Sequence, residues 1–157
     1  MTDLLYFRHI IFTVMKSKLY ILIILVSLAS CKKDDGVRND NPYLVDPLVN
    51  LNLNLNLPEY NPLKFPGNSI TITHQGIKGI VIYNVNNDLY TAFELSDPNH
   101  TPNACSRMTI EGIIASCPCN DDNTYDIVTG QHQVDENKYP MLQYIATRTG
   151  DNIQIGN

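Results

Sequence analysis

The chain has 157 residues, a formal net charge of −5, 43% apolar residues, no tryptophan and four cysteines. That length suits one domain of about a hundred residues plus a targeting segment. The acidic balance leaves no basic patch and no electrostatic reason to bind nucleic acid.

Lys16 and Lys18 precede an apolar run, Leu19 to Val26, which ends in Leu28-Ala29-Ser30-Cys31. A basic n-region, a short h-region and small residues before the cut describe an export signal over residues 1–30. Met15 is a candidate start, because Met15-Lys16-Ser17-Lys18 makes a better n-region than Met1-Thr2-Asp3. The run is too short for a permanent membrane span. A cysteine directly after Leu-Ala-Ser resembles a bacterial lipobox, which implies that Cys31 becomes the lipidated first residue of the mature chain. Lys32-Lys33-Asp34-Asp35 resembles the surface-export signal of Bacteroidetes-type lipoproteins. The expected address is therefore the outer membrane, lipid-anchored and facing the cell surface, with a periplasm-facing arrangement as the alternative. Residues 31–41 read as the lipidated cysteine and a flexible tether, and 42–157 as the folded domain. Cleavage leaves eight basic and fifteen acidic residues, a formal −7.

The domain reads as all-β. Val49 to Leu57 alternates leucine with asparagine, which puts every leucine of a strand on one face. Pro58 ends it, and Pro62 and Pro66-Gly67 mark turns. Ile70-Thr71-Ile72-Thr73 and Gly79-Ile80-Val81-Ile82-Tyr83 are short β-branched strands. Asn84 to Asp88 is turn chemistry, returning through Leu89-Tyr90-Thr91-Ala92-Phe93 as a hairpin partner. Met108-Thr109-Ile110 and Ile113-Ile114-Ala115 flank Glu111-Gly112. Leu142 to Ala146 and Ile153-Gln154-Ile155 close the chain around a Gly150-Asp151 turn. Many short strands point to a small antiparallel sandwich or barrel.

Five segments then fall in a telling order: Tyr90-Thr91-Ala92-Phe93, Asp97-Pro98-Asn99, Cys117-Pro118-Cys119-Asn120, Tyr125-Asp126-Ile127-Val128-Thr129-Gly130 and Tyr139 to Tyr144. Over roughly residues 76 to 156 this resembles a Rieske [2Fe-2S] domain, and in particular the small Rieske-like lipoproteins of Bacteroidetes. The resemblance implies a β fold with two ligand loops at one end. It also implies that the first ligand pair falls on Asp97 and Asn99 and the second on Cys117 and Asn120. A second alignment puts the first pair on Cys105 and Arg107. Either way both imidazole ligands are missing, and a carboxamide does not replace them.

The expectation is accordingly no cofactor and no metal. Were a metal held, its donors would come from Asp97, His100, Cys105, Cys117 and Cys119. Rieske domains of the cytochrome-bc type tie their cluster loops with a disulfide, which by resemblance implies a Cys105–Cys119 bridge, with Cys105–Cys117 as the competing pairing. An exported protein sits where such bridges persist. His74 and His132 read as surface histidines, and His100 as a loop cap. Asp121-Asp122-Asn123 with Asp126 lacks the glycine and distal glutamate of a calcium loop and reads as an acidic turn. No catalytic constellation is visible. The expected role is a non-enzymatic binding or assembly module with an unidentified protein partner. The alternative is an electron-transfer protein that keeps a [2Fe-2S] cluster through atypical ligands.

Overall fold

The computed structural model describes residues 41–157. The leader, the Met15 start, Cys31, Lys32-Lys33-Asp34-Asp35 and the tether up to 40 lie outside the described residues.

The alternating leucines do form a strand, β1 (Asn50–Asn54), with Leu51 and Leu53 buried and the asparagines exposed. It pairs antiparallel with the last strand, β9 (Asn152–Gly156), in a register that sets Leu51 against Ile155 and Leu53 against Ile153. Leu57, expected on the same face, is 44% exposed. The reason is the next element: instead of the turn expected at Pro62, the chain coils from Pro58 into a 3₁₀ helix, Pro58–Lys64. Pro58 stands in its first turn, where a missing N–H costs nothing.

Strands β2 (Ser69–Ile72), β3 (Ile80–Asn84) and β4 (Tyr90–Glu94) follow as an antiparallel meander. The β3–β4 turn is built by asparagines. Asn84 Oδ1 accepts from the Asn87 amide and Asn86 Oδ1 from the Leu89 amide, while Asn87 takes φ 71°, a left-handed conformation that asparagine tolerates. Strand β8 (Gln143–Thr149) pairs first with β4, Ala92 against Tyr144, and then with β9, Ala146 against Ile155. It thereby joins the meander to the terminal strands in one six-stranded sheet of order β1-β9-β8-β4-β3-β2. A three-stranded sheet contains β5 (Thr109–Glu111), β6 (Ile114–Ser116) and β7 (Thr124–Asp126). The described chain is thus all-β and antiparallel, apart from the one 3₁₀ helix.

Hydrophobic burial is divided by the β3–β4 hairpin. Ile80, Ile82 and Ala92 face a core shared with Leu51, Leu53, Leu55, Tyr144, Ile153 and Ile155. Val81 and Phe93, on the opposite face, join Leu95, Met108, Ala115, Tyr125, Ile127 and Met141 under the small sheet. A strand buried on both faces cannot alternate, which is why Ile80-Val81-Ile82 is a continuous apolar run. Each fully buried leucine, isoleucine or phenylalanine contributes about 1.5–3 kcal/mol. Next to these cores, Glu94 is fully buried and accepts from the Ile77, Lys78 and Ser96 amides and from the Tyr144 hydroxyl. Four donors offset the desolvation of one carboxylate and fix the loop before β3.

Candidate functional site

Two loops meet at one end of the fold, one between β4 and β5 (95–108) and one between β6 and β7 (117–123). The chain enters the described region beside them, since Asn41 Nδ2 donates to Pro98 O at 2.7 Å. Among the landmarks aligned in sequence, the β3–β4 hairpin, both loops, Tyr125 and the β8–β9 pair occupy the places that the resemblance implies.

Asp97 organises the first loop. It is fully buried, and its Oδ1 accepts from the Tyr125 hydroxyl at 2.9 Å and the Asn99 amide at 2.7 Å. Its Oδ2 accepts from Asn123 Nδ2 at 2.9 Å. Asn99 in turn donates from Nδ2 to the Tyr125 oxygen and to Tyr139 O, and accepts from the Tyr139 amide on Oδ1. Burial, opposed by the Asn99 bond and reinforced by Asp97, pushes ionisation of the Tyr125 phenol well above its ordinary range. The two positions aligned with the first ligand pair are therefore the middle of a closed hydrogen-bond network.

The second loop carries Cys117, half-buried and not in a disulfide. Burial pushes its thiol up to about 12; a bond from the Cys119 amide opposes this, and the Asp97 and Asp121 carboxylates add to it. Asn120, aligned with the second histidine, is exposed and takes φ 60°, with Asp122 at φ 55°. Both are left-handed turn conformations. Asp121 Oδ1 accepts from the Asn123 amide, as an acidic turn should.

Cys105 and Cys119 form a disulfide between the loops, with Cα atoms 5.2 Å apart. The competing Cys105–Cys117 pairing is not formed. This removes two of the five residues expected as metal donors, while Asp97, His100 and Cys117 are brought together. His100 is more than the loop cap expected of it. Its Nδ1 lies 3.1 Å from Thr101 O, and its Nε2 lies 3.4 Å from Cys117 Sγ, 3.7 Å from Asp97 Oδ2 and 3.4 Å from Asp121 Oδ2.

His74 is exposed, as expected. His132 differs from expectation: it is half-buried, packs edge-on against Tyr125 with ring centroids 5.1 Å apart, and accepts on Nδ1 from the Val134 and Asp135 amides. Burial, together with nearby Lys138, lowers its pKa, with Asp135 opposing. The Thr129-Gly130 landmark also has a packing cause. Gly130 has φ 75°, and a Cβ there would lie 2.5 Å from the Phe93 ring.

Asp121, Asn123, the Tyr125 hydroxyl and Tyr139 were not foreseen as site residues. Asp121 and Asn123 stand in the run read as an acidic turn, and Tyr125 and Tyr139 in the landmark segments, but none of these signals names their partners.

A [2Fe-2S] cluster needs paired donors on each iron. Here Asn99 is spent on Tyr125 and Tyr139, Asn120 faces solvent, and Cys105 and Cys119 are spent on each other. The residues present do not fit that group.

No family model matches the chain, and no curated protein matches it. Solved structures with a similar backbone course include the complex of reduced oxygenase and oxidised ferredoxin in carbazole 1,9a-dioxygenase (16% identity, covering 59% of this chain and 91% of that one, TM-score 0.42). A Sphingomonas yanoikuyae B1 ferredoxin shares 17% identity over 59% of this chain and 88% of its own, with TM-score 0.41. The quaternary ammonium Rieske monooxygenase CntA shares 16% identity over 70% of this chain and 31% of its own, with TM-score 0.47. At such identity the chemistry rests on this chain's own residues.

Proposed function

We propose that this chain is a lipoprotein, anchored through Cys31 in the outer membrane and facing the cell surface, whose Rieske-like domain serves as a non-enzymatic binding or assembly module for a protein partner. The observation that carries the cluster-less part is the Asp97 network. A buried carboxylate satisfied by Tyr125, Asn99 and Asn123 is a structural knot, and opening it to admit a cluster would strand a charge and several donors. The disulfide supports the same reading only by taking the Cys105 and Cys119 thiols out of the donor set. The anchor reading rests on the leader and Cys31, and the partner on the display of a non-catalytic domain away from the membrane.

The test uses the full chain, exported in a bacterial host that also overproduces iron–sulfur assembly proteins and extracted in detergent. A colourless protein without acid-labile sulfide, carrying lipid on Cys31, is the expected result. Stoichiometric iron and sulfide with a reducible visible chromophore would show electron transfer to be the better reading.

A further inference from the structure

Four donor atoms from the two loops converge beside the disulfide. With the Nδ1 proton of His100 given to Thr101 O, Nε2 is left as an acceptor with one thiol and two carboxylates within 3.7 Å. An imidazole fixed by a carbonyl on its far nitrogen is how metal-ligating histidines are commonly held. Zinc bonds of about 2.0–2.3 Å place tetrahedral donors about 3.3–3.7 Å apart. The separations from Nε2 to Cys117 Sγ (3.4 Å), Asp121 Oδ2 (3.4 Å) and Asp97 Oδ2 (3.7 Å) each have the length of an edge of such a tetrahedron. Cys117 Sγ and an Asp121 carboxylate oxygen also lie within 4.8 Å of each other.

We propose that His100 Nε2, Cys117 Sγ, Asp121 Oδ2 and Asp97 Oδ2 bind one zinc-class divalent metal ion. This deepens the cluster-less reading above and rests on it, since a two-iron cluster would need the same space. The mixture of thiolate, imidazole and carboxylate selects a borderline-soft ion over calcium or magnesium. Among the described residues, His100 is the ion-pair partner of both Asp97 and Asp121, so the carboxylates face no lysine or arginine that a metal ion must displace. Tyr125, Asn99 and Asn123 hold Asp97 from behind and form the outer shell. The side chains of His100 and Asp121 are 23% and 27% exposed, which gives an ion a way in. Cys119, although near, is engaged with Cys105 and supplies no ligand. On binding, the metal–sulfur bond forms as the Cys117 S–H bond breaks and its proton passes to solvent. No oxidation state changes, and the disulfide stays closed.

The test is a titration of the exported, detergent-extracted full chain, stripped with chelator under non-reducing conditions, with cobalt(II) and then zinc(II). Expected are saturation at one equivalent, a thiolate-to-cobalt band in the near ultraviolet, the intense visible bands of tetrahedral cobalt, and displacement by zinc. Cys117→Ser should abolish the charge-transfer band. His100→Gln and Asp121→Asn should each weaken binding by at least about tenfold, and His74→Gln should change nothing. Asp121→Asn keeps the Oδ1 acceptor for the Asn123 amide, so it tests the site even if the more buried substitutions unfold the domain. A colourless protein that takes up no cobalt, or whose uptake survives His100→Gln and Asp121→Asn unchanged, overturns the metal site alone. Iron and labile sulfide found before stripping overturn the cluster-less reading and the metal site with it.

Discussion

Where β1 pairs with β9, Leu51 and Leu53 lie against Ile155 and Ile153, and what those two strands bury is hydrocarbon. At the loop end the fully buried side chain is a carboxylate, Asp97, and three donors from distant parts of the chain surround it. The first region gains from every atom removed from water and needs only shape. The second gains only while its network is complete, because each missing partner leaves a desolvated charge short of a bond. The β1–β9 core is therefore sensitive to lost volume, and the loop end to a lost polar partner.

Substitutions on the two sides should separate these behaviours. Leu53→Ala leaves a cavity in the large core and should cost about 2–5 kcal/mol in urea unfolding. It should leave the disulfide and Tyr125 environment intact by near-ultraviolet circular dichroism; loss of the loop-end signal would show that the regions are not separable. Replacing Cys105 and Cys119 together by serine should cost about 3 kcal/mol, given a sequence separation of 14, and should loosen the 97–107 and 117–123 loops to hydrogen exchange while β1, β8 and β9 stay protected. Tyr125→Phe removes one oxygen yet takes a donor from Asp97 and a partner from Asn99, so about 1.5–3 kcal/mol should be lost. A loss near zero would mean that the network adjusts and is not a knot.

The smallest effect concerns pH. His132 has its pKa lowered in the folded state, chiefly by burial, so the unfolded chain takes up its proton first as pH falls. The stability it contributes is present above about pH 6.5 and is lost as pH drops below that value. Unfolding midpoints of the wild type should therefore fall more between pH 7.5 and 5 than those of His132→Gln. His74→Gln, at an exposed position, should follow the wild type.

The same contrast explains what could be read from the residues alone. Leucine–asparagine alternation has one physical solution, a half-buried strand, and β1 is that strand. The hairpin at Asn84 to Asp88 was equally legible, because its asparagines make the turn with their own side chains. The 3₁₀ helix was not, since Pro58 and Pro62 break a strand whether the chain then turns or coils. At the loop end, sequence order located Asp97, Cys117 and the Cys105–Cys119 pairing through family resemblance. Partnership did not follow. That Tyr125 and Asn123 reach Asp97 depends on contacts 28 and 26 residues apart, and that Asp121 faces His100 depends on how the second loop folds back. Such contacts leave no periodicity in the chain.

The disulfide and the Asp97 network close the loop end, and the proposed function leaves no iron–sulfur cluster there. Native mass spectrometry of the exported full chain, produced with iron–sulfur assembly proteins, tests it most directly. Expected is a mass two hydrogens below the all-thiol chain, with at most a single metal ion added and a Cys105–Cys119 peptide on non-reducing digestion. A species carrying two irons and two sulfides, whether or not Cys105 and Cys119 are bridged, would contradict it.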